Sequence, residues 1–162
     1  MAWVVDDLEV AMQKWIKGHG AGPFVVLRHC QVSDLLHRGR PATCDFDVAI
    51  AQSGSVQIEL IQQNDDLPSV YRDLYRKGQE GIHHICHVVD DLPGAMAHFR
   101  GRGAEVAVEG NFGAVRFAYM DTCSSIGCMT ELVGRHPDIE AFFKMIADTA
   151  IGWDGKDPIR YL

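Results

Sequence analysis

Val4-Val5-Asp6-Asp7-Leu8 recurs 84 residues later as Val88-Val89-Asp90-Asp91-Leu92. Each copy reads as the end of an apolar strand, then an aspartate able to cap a helix, then a helical pattern. Leu8, Ala11, Met12 and Trp15 fall on one helical face, and so do Leu92, Ala95, Met96 and Phe99. Both helices run into glycines, Gly18 and Gly20 in the first copy and Gly101 and Gly103 in the second.

A second pair of segments extends the repeat. Gly54-Ser55-Val56-Gln57-Ile58-Glu59-Leu60-Ile61 resembles Ser125-Ile126-Gly127-Cys128-Met129-Thr130-Glu131-Leu132-Val133. Each is a turn feeding a strand that carries one glutamate among apolar neighbours. A β-prone run precedes each, Cys44 to Ala51 and Ala114 to Met120. The unit is therefore strand, helix and three strands, and it occurs twice. The offset is 84 at the leucines but 72 at the glutamates, so the first copy holds 12 extra residues. The polar stretch Arg28 to Pro41 is their natural place, as an irregular loop of the kind that often carries specificity. The chain divides into residues 1–62, a linker 63–80, residues 81–134 and a C-terminal helix and tail 135–162. In the last part Ile139, Phe142, Phe143 and Ile146 give a helix over Asp138 to Ala147 its apolar face. Trp153 and Tyr161 suggest that the tail packs on something, a partner subunit among the options.

Composition narrows the function. Hydrophobic residues are 47% and charged residues 23%, which suits a packed fold. A net charge of −7 argues against nonspecific nucleic-acid or anionic-membrane binding. No apolar run is long enough to span a bilayer, and Met1 to Val5 lack the form of a secretion signal. Five cysteines without a CxxC pair read as free thiols of a reducing cytoplasm, and the Cys123–Cys128 spacing does not match a zinc hairpin. The local cluster Arg28, His29, His37, Arg38 and Arg40 could still meet an anionic small molecule.

The chemistry lies in the strands. One strand glutamate usually faces solvent, but a glutamate at equivalent places of a repeat asks for a partner or a metal. Alternation puts Glu59 opposite Ile58 and Leu60, and Glu131 opposite Leu132, so both leave the helix-packed face. Gly81-Ile82-His83-His84-Ile85-Cys86-His87-Val88 adds histidines. Adjacent residues on a strand face opposite sides, so only one of His83 and His84 can point into a given cavity, and His87 falls on the side of His83. Imidazole with carboxylate suits zinc, cobalt, nickel, manganese or iron(II).

These segments, above all Gly81-Ile82-His83-His84-Ile85, Ile58-Glu59-Leu60 and Gly127-Cys128-Met129-Thr130-Glu131-Leu132, resemble the vicinal oxygen chelate superfamily over Met1 to about Gly134. Its closest likeness is to the glyoxalase and methylmalonyl-CoA epimerase branch. The resemblance implies an α+β fold, two tandem βαβββ modules forming a cupped mixed sheet, here followed by a C-terminal helix and tail. It implies a divalent ion held by Glu59, His84 and Glu131, with His84 chosen because the ligand histidine stands eight residues before Leu92 and with His83 facing away. The same count from Leu8 places a first ligand just before Met1; His19, His29 and His37 do not stand at the matching place. It further implies proton transfer at a carbon beside a carbonyl, as in an isomerase, epimerase or lyase, with Glu59 or Glu131 serving as base. Asp47 is a further candidate base, and Arg28, Arg38 and Arg40 are candidate contacts to an acyl-CoA or other anionic carbonyl substrate. A homodimer is common among such proteins. Iron(II) ring-cleaving dioxygenases and metal-free bleomycin-resistance proteins share the fold and are the alternatives.

Overall fold

The computed structural model describes residues 1–162. In chain order the elements are β1 (Ala2–Val4), α1 (Leu8–His19), β2 (Phe24–Leu27), β3 (Ser33–His37), β4 (Arg40–Pro41), β5 (Phe46–Ser53), β6 (Val56–Gln63), α2 (Val70–Leu74), β7 (Gly81–Val89), α3 (Leu92–Arg100), β8 (Glu105–Phe112), β9 (Val115–Asp121), α4 (Cys123–Ile126), β10 (Met129–Gly134), α5 (Pro137–Thr149) and β11 (Ile159–Tyr161).

The two repeated helices start in the same way. The Val10 N–H donates to the Asp7 carboxylate at 2.9 Å, and the Gly94 N–H donates to Asp91 at 3.0 Å. Each aspartate thereby satisfies a first-turn amide that has no helical partner. α1 ends at Gly20, whose φ of 65° is a left-handed conformation that glycine adopts without strain. Leu8, Ala11 and Met12 of α1 are buried against Ala49, Ile58 and Leu60. Leu92 and Met96 of α3 are buried against Ala118, Met120 and Leu132. Both helices thus cover the same face of their sheet halves.

The strands form one mixed sheet in the order β11-β2-β5-β6-β1-β7-β10-β9-β8-β3-β4. The architecture is the expected α+β, with a curled sheet left open between β11 and β4. The halves join where β1 runs antiparallel to β7. Within each half the first strand pairs parallel to the last, with Ala2 opposite Glu59 in one and Cys86 opposite Glu131 in the other. Those registers reproduce the offsets of 84 and 72 read from the repeat.

The inner face of the curl carries its own core, including Val48, Ile50, Ile61, Phe117, Tyr119 and Val133. α5 lies across this face. Its Ile146 is fully buried there, and the Gln57 side-chain amide donates to the Phe143 carbonyl at 2.8 Å.

Two segments depart from expectation. The stretch 28–41 is not an irregular loop. It contains a hairpin of β3 and β4 whose turn, Arg38-Gly39, has φ of 48° and 75°. Two successive positive φ values are the twist a two-residue hairpin needs. β3 pairs with β8, so an insertion in the first copy extends the sheet of the second. The tail packs on its own chain, with β11 running parallel to β2 and the Trp153 ring against Gly22. The β-prone runs Cys44–Ala51 and Ala114–Met120 lie mostly within β5 and β9, displaced by one or two residues.

Candidate metal centre

Glu59 on β6, His84 on β7 and Glu131 on β10 come from strands that flank the junction of the halves, and one ligand atom from each lies within 4.8 Å of the others. His84 is fully buried, and its Nε2 stands 3.5 Å from Glu59 Oε2 and 3.3 Å from Glu131 Oε2. The side chain of Glu131 is 9% exposed and that of Glu59 is 25%, so Glu59 is the more accessible carboxylate.

Regular alternation would have turned His83 away, and the structure corrects that expectation. Opposite β1, Ala2 pairs with His84 and Trp3 with Ile82, so His83 has no partner in this ladder. The extra residue breaks the period of two. Both rings then pack on Tyr119, with centroids 5.7 Å away for His83 and 4.8 Å for His84. His87, beyond the irregularity, points outward and is exposed.

This arrangement orders the protons. His83 Nε2 lies 3.1 Å from the Val70 carbonyl, which can only accept, so Nε2 carries a hydrogen. In the neutral ring Nδ1 is then an acceptor. It sits 3.0 Å from His84 Nδ1, which must donate to it. The hydrogen of a neutral His84 is therefore on Nδ1, and its Nε2 turns a lone pair toward the two glutamates. That Nε2 is a buried polar atom with no hydrogen-bond partner.

Electrostatics follow the same geometry. Burial opposes a charge on His84, but Glu131 and then Glu59 outweigh it and raise the pKa to about 9. Burial, with His84 alongside, lowers that of His83 to about 3. Burial acts to raise the pKa of Glu131, yet His84, the Cys86 thiol and the Tyr119 hydroxyl bring it below the usual carboxylate range. Burial raises Cys86 and Tyr119, each reinforced by Glu131.

The donor set fits a divalent ion. Bonds of about 2.1 Å to nitrogen and oxygen in a tetrahedral arrangement separate neighbouring ligand atoms by roughly 3.4 Å. The spacings of 3.3 and 3.5 Å around His84 Nε2 match that edge. A buried imidazole nitrogen between two carboxylates, its lone pair freed when the proton leaves, is what such an ion would complete.

The other candidates lie elsewhere. Asp47 faces away from the cup, since Phe46, Val48 and Ile50 of β5 occupy the inner face. It is buried and accepts from Arg28 (2.7 Å), the His29 N–H (2.7 Å) and the Asn64 amide (3.0 Å). Burial works to raise its pKa, but Arg28 and these donors prevail and lower it. Arg28 also meets Glu9 at 3.0 Å. Arg38 is held by Asp73 and Asp121, and Arg40 is exposed on β4 at the end of the sheet. None of the four lines the cavity beside the metal centre. That cavity encloses about 850 Å³, its open mouth included, between the sheet and α5.

Residues missed in the sequence are His83, Cys86, Tyr119 and the α5 side chains. Cys86 was within reach, two residues beyond His84 on one strand and equivalent to Ala2. Tyr119 is opposite Glu131 in the ladder, a placement that needs the register of β9.

A mixed α+β cup built from two copies of one unit is the scaffold of a known superfamily. The model of the Glyoxalase/Bleomycin resistance protein/Dioxygenase superfamily matches residues 1–119, and the chain belongs to that superfamily. Its fold is similar to the crystal structure of methylmalonyl-CoA epimerase from Mycobacterium tuberculosis (TM-score 0.56, 18% identity, 86% of this chain and 88% of that one). It is also similar to a methylmalonyl-CoA epimerase in complex with methylmalonyl-CoA and NH4+ (TM-score 0.53, 18% identity, 84% and 92%). A variant of the Streptomyces coelicolor epimerase in complex with 2-nitronate-propionyl-CoA is a third such structure (TM-score 0.52, 19% identity, 82% and 92%). No curated protein sequence matches the chain. At these identities the structural likenesses establish the fold.

Proposed function

We propose that this chain is an enzyme that holds a divalent cation at Glu59, His84 and Glu131 and moves a proton at a carbon next to a carbonyl. The products would be those of an epimerase, another isomerase or a glyoxalase-type lyase. The observation that carries the reading is the buried His84 Nε2, unpartnered between two carboxylates from equivalent strands. When bound, the cation supplies Lewis acidity, stabilising the negative charge that develops on oxygen as the proton leaves.

The chain's own groups divide the remaining work. Glu131, buried and held ionised by His84, is a weak base and serves to hold the cation. Glu59 is more exposed and lines the cavity, so it is placed to take the proton from carbon and return it. His83 keeps the hydrogen of His84 on Nδ1. Val48, Ile50 and Phe142 wall the site with apolar surface that keeps bulk water from the reacting carbon.

Two carboxylates with one histidine also differ from the two-histidine, one-carboxylate set of iron(II) oxygenases. That favours proton transfer over ring cleavage. A homodimer and a cytoplasmic location belong to this proposal too. The unpaired edges of β11 and β4 offer backbone groups to a second copy, and all the cysteines are free thiols.

Elemental analysis of the purified protein and of Glu131→Ala tests the site; unchanged metal content in the variant defeats it. Exchange of the α-hydrogen of carbonyl compounds in heavy water, followed by NMR, tests the reaction. Exchange should need the metal and stop with a chelator. Oxygen uptake with a catechol in place of exchange would instead make the protein a dioxygenase.

A further inference from the structure

The walls of the cavity beside the metal centre restrict what it can hold. Its charged lining groups are all acidic: Glu59, Glu131 and Asp138. No lysine, arginine or histidine lines it, and no serine, threonine, asparagine, glutamine or tyrosine does either. Everything else is apolar or a thiol, with Phe112, Phe142 and Phe143 the largest side chains. The arginines that could answer an anion are ion-paired outside the cavity or, for Arg40, exposed on β4 at the far end of the sheet. A divalent cation between Glu59 and Glu131 only cancels their two charges, so the centre has no positive surplus. A carboxylate or phosphate brought into the cup would be desolvated with no cation to meet it.

α5 supplies Asp138, Ile139, Phe142 and Phe143 to this lining, and it begins at Pro137, outside the residues 1–119 shared with the superfamily. Ligand choice is thus written partly in a segment beyond the residues that the superfamily model matches.

We propose that the cup takes an uncharged, largely apolar carbonyl compound, whose adjacent oxygens face Glu59, His84 and Glu131 and whose body lies between the sheet and the α5 phenylalanines. A dicarboxylate, a phosphate ester or a polyol is the wrong chemistry for these walls. This rests on the proposed metal centre only for where the oxygens point; the apolar preference follows from the walls alone.

Two arms test it. Manganese-loaded protein is titrated calorimetrically with maltol, a ring with adjacent oxygens that arrives uncharged and gives up one hydroxyl proton on chelation, and with malonate, a dianion that also chelates. Metal-free protein is titrated with 2-naphthol and followed by its fluorescence. Maltol should bind at least about tenfold more tightly than malonate, a factor equal to 1.4 kcal/mol, and 2-naphthol should bind with or without metal. Phe112→Arg places a cation in the lining at a position that is 37% exposed. It should weaken 2-naphthol and strengthen malonate. Malonate binding as tightly as maltol, or 2-naphthol that fails to bind or ignores Phe112→Arg, overturns the proposal. Failure of the metal reading looks different: no manganese is taken up, while 2-naphthol still binds the cup.

Discussion

Replacing His83 by phenylalanine should cost stability at neutral pH and recover about 2.7 kcal/mol relative to the parent in acid. The side chain is fully buried and in van der Waals terms a phenyl ring suits the aromatic nest of Tyr71 and Tyr119. The change removes the acceptor for the His84 Nδ1 hydrogen and the donor to the Val70 carbonyl. Leaving such buried groups unpaired costs about 1–3 kcal/mol, so at pH 7.5 the metal-free variant should be the less stable. In acid the parent carries a liability the variant lacks. His83 titrates at about 3 in the fold against an ordinary 6.5. A base with a lowered folded pKa leaves stability untouched above 6.5 and removes it progressively as pH falls toward 3. At pH 4.5 the two-unit gap from 6.5 amounts to about 2.7 kcal/mol. Urea unfolding of both metal-free proteins at pH 7.5 and 4.5 measures this. Other groups titrate in both proteins, so the change in their difference isolates His83. A difference that stays the same at the two pH values refutes the buried, neutral His83 and the proton order built on it. Metal affinity gives a second readout. Losing the group that orients a ligand histidine should weaken binding about 10- to 100-fold.

Three further outcomes follow from the same geometry. Asp47→Ala should cost about 1–3 kcal/mol in urea unfolding by stripping Arg28 and the His29 N–H of their acceptor, while elemental analysis finds metal content unchanged. Because the Asp47 pKa is lowered from 3.8, the parent's advantage is present above that value and shrinks as pH falls below it. Glu59→Gln keeps an oxygen ligand but no base, so α-hydrogen exchange should fall by about 10²–10⁴ with metal still bound; exchange at the parental rate removes Glu59 as the base. Metal uptake at pH 7.5 should release about one proton, because the His84 pKa of about 9 keeps it protonated until the ion arrives. Calorimetry in two buffers of different ionisation enthalpy reads the release, and none would mean that His84 is already neutral.

What could be read from the residues was whatever is local or periodic. Asp7 and Asp91 cap helices whose apolar faces the spacing of Leu8, Ala11 and Met12, and of Leu92 and Met96, already described. The glutamates stood out because a repeat aligned them. His83 was misplaced because strand alternation holds only while pairing is regular, and the irregularity depends on β1, some eighty residues earlier in the chain. The hairpin of β3 and β4 is hidden in the sequence for a similar reason. Its residues are polar, and β3 finds its partner in β8, beyond the whole of the first unit. The arginines looked like a substrate site because Asp73 and Asp121, which neutralise Arg38, are distant in sequence. Helical spacing identified α5 but not the face it covers.

The charge arrangement at the centre explains how one site serves both a resting and a working state. Two carboxylates that converge in a largely buried place cannot both remain ionised without a nearby cation. With His84 protonated, the three groups carry one net negative charge, shared with the more exposed Glu59. For the metal-free fold this sets a sign: His84 binds its proton more tightly folded than unfolded, so its stabilisation is full below 6.5 and lost as pH rises through about 9. A divalent ion replaces that proton, cancels both carboxylates and takes the Nε2 lone pair, so proton and metal compete for one place. His83 makes the exchange clean. Its Nδ1 accepts from His84 in either state, and its own lowered pKa keeps a second positive charge out of the cluster. The irregular strand that places two histidines side by side is therefore best understood as part of the metal centre.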